Sequence, residues 1–187
     1  MIGSPFAALL AAAANGDEDA FGLLWQDLQP RLLRYLMVVA PGAGEDLASE
    51  TWLGVVRGIR GFHGDEPAFR AWVFTIARNQ VVDWRRRAAR RVAEDRPVTG
   101  AIDLIAPDDP AGAALESIST RAAFDLIATL PANQAEVIML RVVAGLDTAR
   151  VATIMGIREG TVRVLAHRGL RRLAARLAGG VRIGGVG

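Results

Sequence analysis

Near its C-terminus the chain reads DTARVATIMGIREGTVRVLAHRGLRRLAAR, residues 147–176. This stretch combines a short amphipathic helix that Asp147 can cap, a glycine at position 156 for the turn, and a longer helix starting at about Arg158. The small side chain of Ala152 allows the two helices to approach each other closely. This order of elements predicts a helix-turn-helix.

The longer helix of this motif is rich in arginine on its outer face. Arginine can read guanine through two hydrogen bonds or bind a phosphate, and residues near the start of such a helix most often reach base edges. A helical hairpin with a solvated basic face is the alternative interpretation of this segment taken alone. The candidate residues for reading duplex DNA are Arg158, Glu159, Thr161, Arg163, His167, Arg168 and Arg171, and Arg172 also faces outward in this arrangement.

A second notable segment is FRAWVFTIARNQVVDWRRRAARR, residues 69–91. It mixes aromatic residues with arginines, which suits stacking on unpaired bases and following a nucleic-acid backbone. For Phe69 and Trp72 a place in the core is the better interpretation. The arginines from Arg85 to Arg91 follow one another with no acidic residue among them, which makes solubilisation alone a weaker explanation for them.

Composition excludes several functions. The 187 residues include no cysteine, so disulfides, thiolate catalysis and cysteine-bound zinc are excluded. All 22 basic residues are arginine. The longest apolar stretches break too early to span a bilayer, which predicts no membrane insertion. The apolar residues 6–14 lack a preceding basic residue and are followed at once by acidic ones, so they are interpreted as a mobile or helical lead-in segment rather than a signal peptide.

Apolar residues recur at helical spacing along nearly the whole chain, which predicts an all-α fold of two small helical domains. Residues 93–112 contain three prolines and five acidic residues, the composition of a linker. Asp17 is expected to cap the helix at 17–39, and Trp25 is expected on the apolar face of this helix. Pro30 is expected to kink or break the same helix near Gln29. The predicted helices cover residues 17–39, 45–60, 67–91, 111–128, 131–144, 147–155 and 158–177. The predicted parts are a lead-in at 1–16, a first domain at 17–92, the linker at 93–112, a second domain at 113–178 and a disordered tail at 179–187.

The segment EDLASETWLGVVRGI, residues 45–59, is an amphipathic helix with acidic residues at its start. Nothing in it resembles a catalytic site. A docking surface for a partner helix and an ordinary core helix are equally good interpretations of this segment alone.

Four segments in order resemble the signature regions of extracytoplasmic-function (ECF) sigma factors of the sigma-70 family. They read DLASETWL, WVFTIARNQVVDWRRR, LPANQAEVIMLRVVAGL and GIREGTVRVLAHRGLRRL, and they lie on either side of the predicted linker. The resemblance implies a sigma-2-like bundle and a sigma-4-like helix-turn-helix domain in a protein that performs no chemistry itself. It implies no cofactor, no metal and no catalytic residue.

The resemblance also implies partners: core RNA polymerase through its β′ and β subunits, promoter DNA, and an anti-sigma factor in the bacterial cytoplasm. The helix at 158–177 would read the minus thirty-five element, and the linker would thread through the polymerase. Val164 and Leu165 stand where most members have a serine and a basic residue, so the promoter sequence does not carry over. The residues implied in polymerase binding are Asp46, Glu50, Thr51 and Trp52. Those implied in binding and melting the minus ten element are Phe62, His63, Arg78, Asn79, Asp83, Arg85, Arg86, Arg87 and Arg90.

Two other classes of function compete with this interpretation. A one-component helix-turn-helix regulator would bind duplex operator DNA without polymerase, but it needs a dimerisation or effector domain, and the chain gives little sign of one. An enzyme such as a small nuclease would need clustered catalytic groups. The two histidines, His63 and His167, are far apart in sequence and have no carboxylate cluster at metal-ligand spacing.

Overall fold

The computed structural model of the chain describes residues 6–93 and 114–181, which form helices joined by short turns with no strand among them. We call residues 6–93 the first lobe and residues 114–181 the second lobe. The all-α prediction is confirmed. The helices are α1 (Phe6–Ala14), α2 (Glu18–Val39), α3 (Gly44–Gly58) with a 3-10 turn (Ile59–Gly61), α4 (Glu66–Ala93), α5 (Ala114–Ala128), α6 (Ala132–Ile138) with a π-helical turn (Met139–Val143), α7 (Thr148–Met155) and α8 (Glu159–Val181).

The first lobe is built around α2. Asp17 caps this helix as predicted, because its carboxylate accepts a hydrogen bond from the backbone N–H of Ala20 at 2.9 Å. Leu24, Leu28 and Leu32 repeat every four residues, so they lie on one face of the helix and are buried against α3 and α4.

The predicted lead-in segment is helical from Phe6 to Ala14 and packs on the first lobe. The Phe6 ring lies 5.8 Å from the ring of Phe69, and Leu10 is buried beside it. Arg60 also donates a hydrogen bond to the carbonyl oxygen of Ala14 at 3.2 Å. This apolar helix is therefore part of the first lobe's core.

Pro30 does not break α2, and this part of the prediction was wrong. The helix is continuous from Glu18 to Val39 with Pro30 inside it. Pro30 is on the solvent side, where the carbonyl that loses its backbone partner can be hydrated, while Leu28 and Leu32 are buried on the other side. Burial of this apolar face offsets the cost of about 3 kcal/mol that an internal proline imposes. Trp25, expected on the same apolar face, is instead 42% exposed.

The second lobe follows the predicted helix order closely. Pro131 stands at the start of α6, and Gly145 ends this helical segment with φ of +66°, a conformation that a side chain would strain. Helix α8 continues to Val181, so residues 179–181 are helical where a disordered tail was predicted. Residues 182–187 of that tail, and all of the predicted linker except Ala93, lie outside the described residues.

The two lobes are in contact. Helix α2 packs on α5 and α6 of the second lobe, and α4 packs on α7. Within residues 6–93 and 114–181, no helix combines the length and the apolar character that crossing a bilayer requires.

Candidate nucleic-acid interface

The helix-turn-helix consists of α7, a turn at Gly156 and α8. Gly156 has φ of +66° and ψ of 34°, the left-handed conformation that favours glycine. Helix α7 packs on α8, and Val151, Ala152 and Val162 are buried, with Ala152 7% exposed. This packing confirms the predicted motif and fixes which face of α8 is turned outward.

Asp147 caps the first helix of this motif. Its carboxylate accepts a hydrogen bond from the backbone N–H of Arg150 at 2.8 Å, and the Arg150 guanidinium also contacts it. The backbone hydrogen bond, followed by the side-chain contact, lowers the pKa of Asp147 below its ordinary value of 3.8. The Arg150 side chain is thus engaged by the cap.

We expect Asp147→Ala to lower the free energy of unfolding by about 1 kcal/mol, because the cap is lost. The lowered pKa means that the carboxylate's contribution is fully present above pH 3.8 and is lost as the pH falls through the lower folded value. Urea denaturation of both proteins at neutral pH and at acidic pH tests this. Asp125→Asn, at an exposed position of α5, is the control and should change stability little. A difference between wild type and Asp147→Ala that is independent of pH would contradict the role of the charge.

The predicted DNA-reading residues lie on the exposed side of the motif. Glu159, Arg163, His167 and Arg171 follow one another at four-residue spacing, so they form one stripe along α8. The Arg163 guanidinium donates to the Glu159 carboxylate at 2.8 Å. All seven predicted residues are exposed, namely Arg158, Glu159, Thr161, Arg163, His167, Arg168 and Arg171.

The inner side of α8 is fixed on α6. Gly169 allows this approach, because a Cβ at this position would lie 2.6 Å from the Cδ1 atom of Ile138. The Arg172 side chain donates a hydrogen bond to Gln134 at 3.1 Å. Arg172 was expected to face outward, and in the structure its exposed side chain also ties α8 to the helix behind it.

Aromatic residues form an open depression at the start of α4. The Phe62 and Trp72 rings stack with their centroids 5.0 Å apart, and His63 is exposed beside them. Gly58 and Gly61 complete the lining. Phe69 is 1% exposed, which confirms its predicted place in the core, whereas Trp72 is only partly buried. A flat aromatic surface that remains partly open can stack on an unpaired base.

The remaining residues of α4 that were predicted to bind DNA are either partly buried or exposed. Arg78 and Arg85 are partly buried and turned toward the second lobe. The Arg86 guanidinium lies 3.7 Å from the Asp83 carboxylate in an exposed pair. The exposed candidates are Asn79, Asp83, Arg86, Arg87 and Arg90.

Sequence reasoning missed Glu136, which meets these arginines. Its carboxylate accepts hydrogen bonds from Arg78 Nε at 2.9 Å, Arg85 at 3.5 Å and the Tyr35 hydroxyl at 3.4 Å, and the residue is 3% exposed. Burial, followed by the negative charge of Glu136, raises the pKa of Tyr35 well above its ordinary value. The available signal was a lone carboxylate among the apolar residues of AEVIML, residues 135–140.

The predicted polymerase-binding residues divide into an exposed and a buried pair. Asp46 and Glu50 are exposed on α3. Thr51 is fully buried, with its hydroxyl donating to the Leu47 carbonyl, and the Trp52 indole donates to Gln29 at 2.6 Å. Thr51 and Trp52 therefore lie behind the surface instead of forming it.

Two apolar side chains extend this exposed part of α3. Leu53 is 47% exposed and Val56 is 55% exposed. Leu53 follows Glu50 by three residues, so it continues the stripe that starts at Asp46. We call Asp46, Glu50, Leu53 and Val56 the α3 surface.

Comparison with known proteins gives matches in both lobes. A family model described as Sigma-70 region 2 matches residues 24–91, and one described as Sigma-70, region 4 matches residues 120–173. These ranges contain most of the exposed candidate residues described above.

Several curated proteins are similar over most of the chain. The ECF RNA polymerase sigma factor BldN of Streptomyces coelicolor is 36% identical over 89% of this chain, which spans 63% of that protein's length. The ECF RNA polymerase sigma factor ShbA of Streptomyces griseus is 34% identical over 90% of this chain and 93% of its own. The ECF RNA polymerase sigma factor SigD of Mycobacterium tuberculosis is 31% identical, with 92% of this chain and 84% of its own covered.

Two solved structures share the fold. The sigma factor RpoE of Bartonella quintana, in complex with the anti-sigma factor NepR, has a TM-score of 0.64 and 26% identity, covering 82% of this chain and 95% of that one. CnrH in complex with the cytosolic domain of CnrY has a TM-score of 0.61 and 21% identity, covering 92% of this chain and 96% of that one.

Proposed function

Because this chain belongs to the ECF RNA polymerase sigma factors, we propose that it binds core RNA polymerase, recognises and melts specific promoters, and so starts transcription. The observation that carries the proposal is that one chain presents two different surfaces suited to nucleic acid. One is the exposed arginine stripe of α8, and the other is the aromatic and arginine-rich part of α4. We assign the chain no catalysis of its own and place it in the cytoplasm, where polymerase and chromosome meet.

Helix α8 supplies the duplex-reading surface in this proposal. Its N-terminal residues are exposed beyond the Gly156 turn, as required for a helix whose first residues enter a major groove. Arg163 is placed one turn into the helix and can hydrogen-bond a guanine edge, while Arg168 and Arg171 are further along, where phosphate contacts are expected.

Helix α4 and the loop before it supply the melting surface. A base flipped out of the duplex costs a few kcal/mol of unstacking, and stacking on an aromatic surface can offset part of that cost. The stacked Phe62 and Trp72 rings line an open depression beside the exposed His63. Exposed arginines at 86, 87 and 90 continue along α4, where they can follow the phosphates of the displaced strand.

The α3 surface is the proposed site of polymerase docking. Two carboxylates beside two exposed apolar side chains suit a partner helix that offers basic and apolar groups. Exposed ion pairs contribute about 0.2–1 kcal/mol each, so we expect the double substitution Asp46→Ala and Glu50→Ala to weaken core binding by roughly 2- to 30-fold. Fluorescence titration of labelled protein with core polymerase measures this.

The matched control for the α3 surface removes two acidic residues elsewhere. Glu18 and Asp19 are exposed in the first turn of α2, so their replacement by alanine changes the charge equally. Core affinity should then stay within about twofold of wild type. Equal weakening by both double substitutions would assign the effect to net charge and contradict the α3 surface.

Run-off transcription with core polymerase across a genomic promoter library tests the function as a whole. We expect transcripts from a restricted set of promoters only when both the chain and core polymerase are present, and weak promoter binding by the chain alone. Tight operator binding by the isolated protein, without any effect on polymerase, would favour the one-component regulator instead.

We also propose that an anti-sigma factor controls this chain and that the chain directs transcription of stress or envelope-response genes. The support is the similarity to RpoE, whose structure contains the anti-sigma factor NepR. Affinity purification of the chain from cells under several stresses should recover such a partner beside the polymerase. Recovery of polymerase subunits alone under every condition would contradict this part of the proposal.

A further inference from the structure

The two lobes meet at a buried carboxylate. Glu136 belongs to the second lobe, whereas its partners Arg78, Arg85 and Tyr35 belong to the first lobe. The Glu136 side chain is 4% exposed, and those of Arg78 and Arg85 are 22% and 36% exposed. Both arginines therefore direct their guanidinium groups into the contact between lobes.

Neighbouring backbone groups hold the same two guanidiniums. Arg85 donates to the carbonyl oxygen of Val39 at 2.9 Å, and Arg78 donates to that of Met155 at 3.4 Å. Met155 ends α7, so Arg78 also touches the helix-turn-helix. A carbonyl at a helix end carries partial negative charge that favours a cation.

Two more arginines of the first lobe approach the second lobe at Gly145. A Cβ at this position would lie 3.3 Å from a terminal nitrogen of Arg70 and 3.9 Å from one of Arg31. Arg70 is already paired with the Glu66 carboxylate of its own lobe at 2.7 Å, so Arg78 and Arg85 are the cations of this side that the second lobe balances. Glu136 is the carboxylate that the described second lobe places against Arg78 and Arg85.

Without that carboxylate the contact would lose its balance of charge. Arg78 and Arg85 are seven residues apart on α4, so they lie on one face of the helix and repel each other. Within the described parts of the chain Glu136 is the anion placed between them, and its removal leaves partly buried charges uncompensated, which is strongly unfavourable. The charge of Glu136 thus stabilises the contact between the two lobes.

We propose that the Glu136 contact closes the free chain on itself and occupies Arg78 and Arg85, so that the chain must open before these arginines can bind DNA. The DNA-binding part rests on the proposed promoter function and on the prediction from sequence that Arg78 and Arg85 bind the minus ten element. A phosphate and the Glu136 carboxylate compete for the same donors, because each is an anion that accepts hydrogen bonds from guanidinium groups. The closed form is therefore autoinhibited for melting.

Distance measurements in the free, full-length protein test the closure. The chain has no cysteine, so spin labels at Ser49→Cys and Thr153→Cys, both exposed, report the separation of the lobes. We expect one narrow distribution for the labelled parent. Glu136→Gln keeps the shape of the side chain but removes its charge, and it should raise the open population about tenfold or more.

Two further variants make the distance test specific. Tyr35→Phe removes one hydroxyl donor and keeps the buried ring, so it should open the chain less than Glu136→Gln. Asp125→Asn removes a carboxylate at an exposed position of the same lobe and should match the parent. If Glu136→Gln keeps the parent's distribution, the closure is refuted. If circular dichroism shows that Glu136→Gln does not fold, Tyr35→Phe decides instead. An unchanged distance distribution in Tyr35→Phe then refutes the closure.

A binding measurement tests the occupation of the arginines. With a short fluorescent single-stranded DNA of mixed sequence, Glu136→Gln should bind about tenfold more tightly than the parent in the absence of polymerase. If Glu136→Gln opens the chain but binds the DNA no more tightly than the parent, with both affinities measurable, the autoinhibition is overturned. Opening with no DNA binding by any variant would leave the closure standing and count against the promoter function of Arg78 and Arg85.

Discussion

Replacing Phe74 with alanine should lower the free energy of unfolding by about 3–5 kcal/mol, the cost of removing a large aromatic side chain from a close-packed core. Phe74 is fully buried on α4, and its ring meets that of Tyr35 on α2 edge to face, with centroids 5.4 Å apart. The substitution removes both the buried area and this ring contact. Urea denaturation followed by circular dichroism measures the loss.

The control for Phe74 is Trp25→Ala on the neighbouring helix. Trp25 is larger, but it is 42% exposed, so its removal should change stability by less than a quarter of the Phe74 effect. Equal losses at the two positions would mean that size, and not burial, determines the cost. They would contradict the packing of α2 on α4 described here.

Phe74 also connects stability with the contact between lobes. Its ring supports Tyr35, whose hydroxyl reaches Glu136 in the second lobe. A cavity under Tyr35 would let this side chain move away from Glu136. We therefore expect the loss of stability to be accompanied by weaker contact between the lobes.

Helical spacing and caps made most of the fold predictable from sequence. Asp17 and Asp147 cap their helices as expected, and Gly156 takes the left-handed conformation that the turn requires. These features are local, because the residues involved are within a few positions of each other. Local chemistry is what a single sequence expresses most directly.

The features that the sequence did not predict depended on tertiary contacts. Pro30 was expected to interrupt α2, but burial of the opposite face keeps the helix continuous. Thr51 and Trp52 were implied in polymerase binding by resemblance alone, and only the packing of α3 on its neighbours shows that their side chains are buried. Glu136 contacts Tyr35 and Arg78, which are 101 and 58 positions away in the chain. Helical periodicity does not predict such long-range pairs.

The candidate DNA site was predictable in part for the same reason. The exposed stripe of α8 follows from helical spacing, since Val162 and its neighbours on the inner face fix the outer one. Which arginines are free to bind DNA does not follow from spacing. Arg87 and Arg90 are exposed, whereas Arg78 and Arg85 are held by Glu136 in the second lobe.

Replacing Arg163 with alanine should weaken binding of the holoenzyme to its preferred upstream element by about 1–3 kcal/mol and change which sequences are preferred. Arg163 is exposed one turn into α8, and its guanidinium is oriented by Glu159 at 2.8 Å. A side chain at this place can reach a base edge, so its loss should remove discrimination at one position. Competition binding against a library of upstream sequences measures both effects.

Arg172→Ala is the matched control, since it removes the same side chain from the same helix. Arg172 is bonded to Gln134 on α6 at 3.1 Å, so it holds α8 in place, and its outer side is far enough along the helix for phosphate contact. Both roles are independent of base sequence, and we therefore expect all library members to weaken alike. If Arg163→Ala gave the same uniform loss, the face of α8 assigned to base reading would be wrong, because a base contact must affect some sequences more than others.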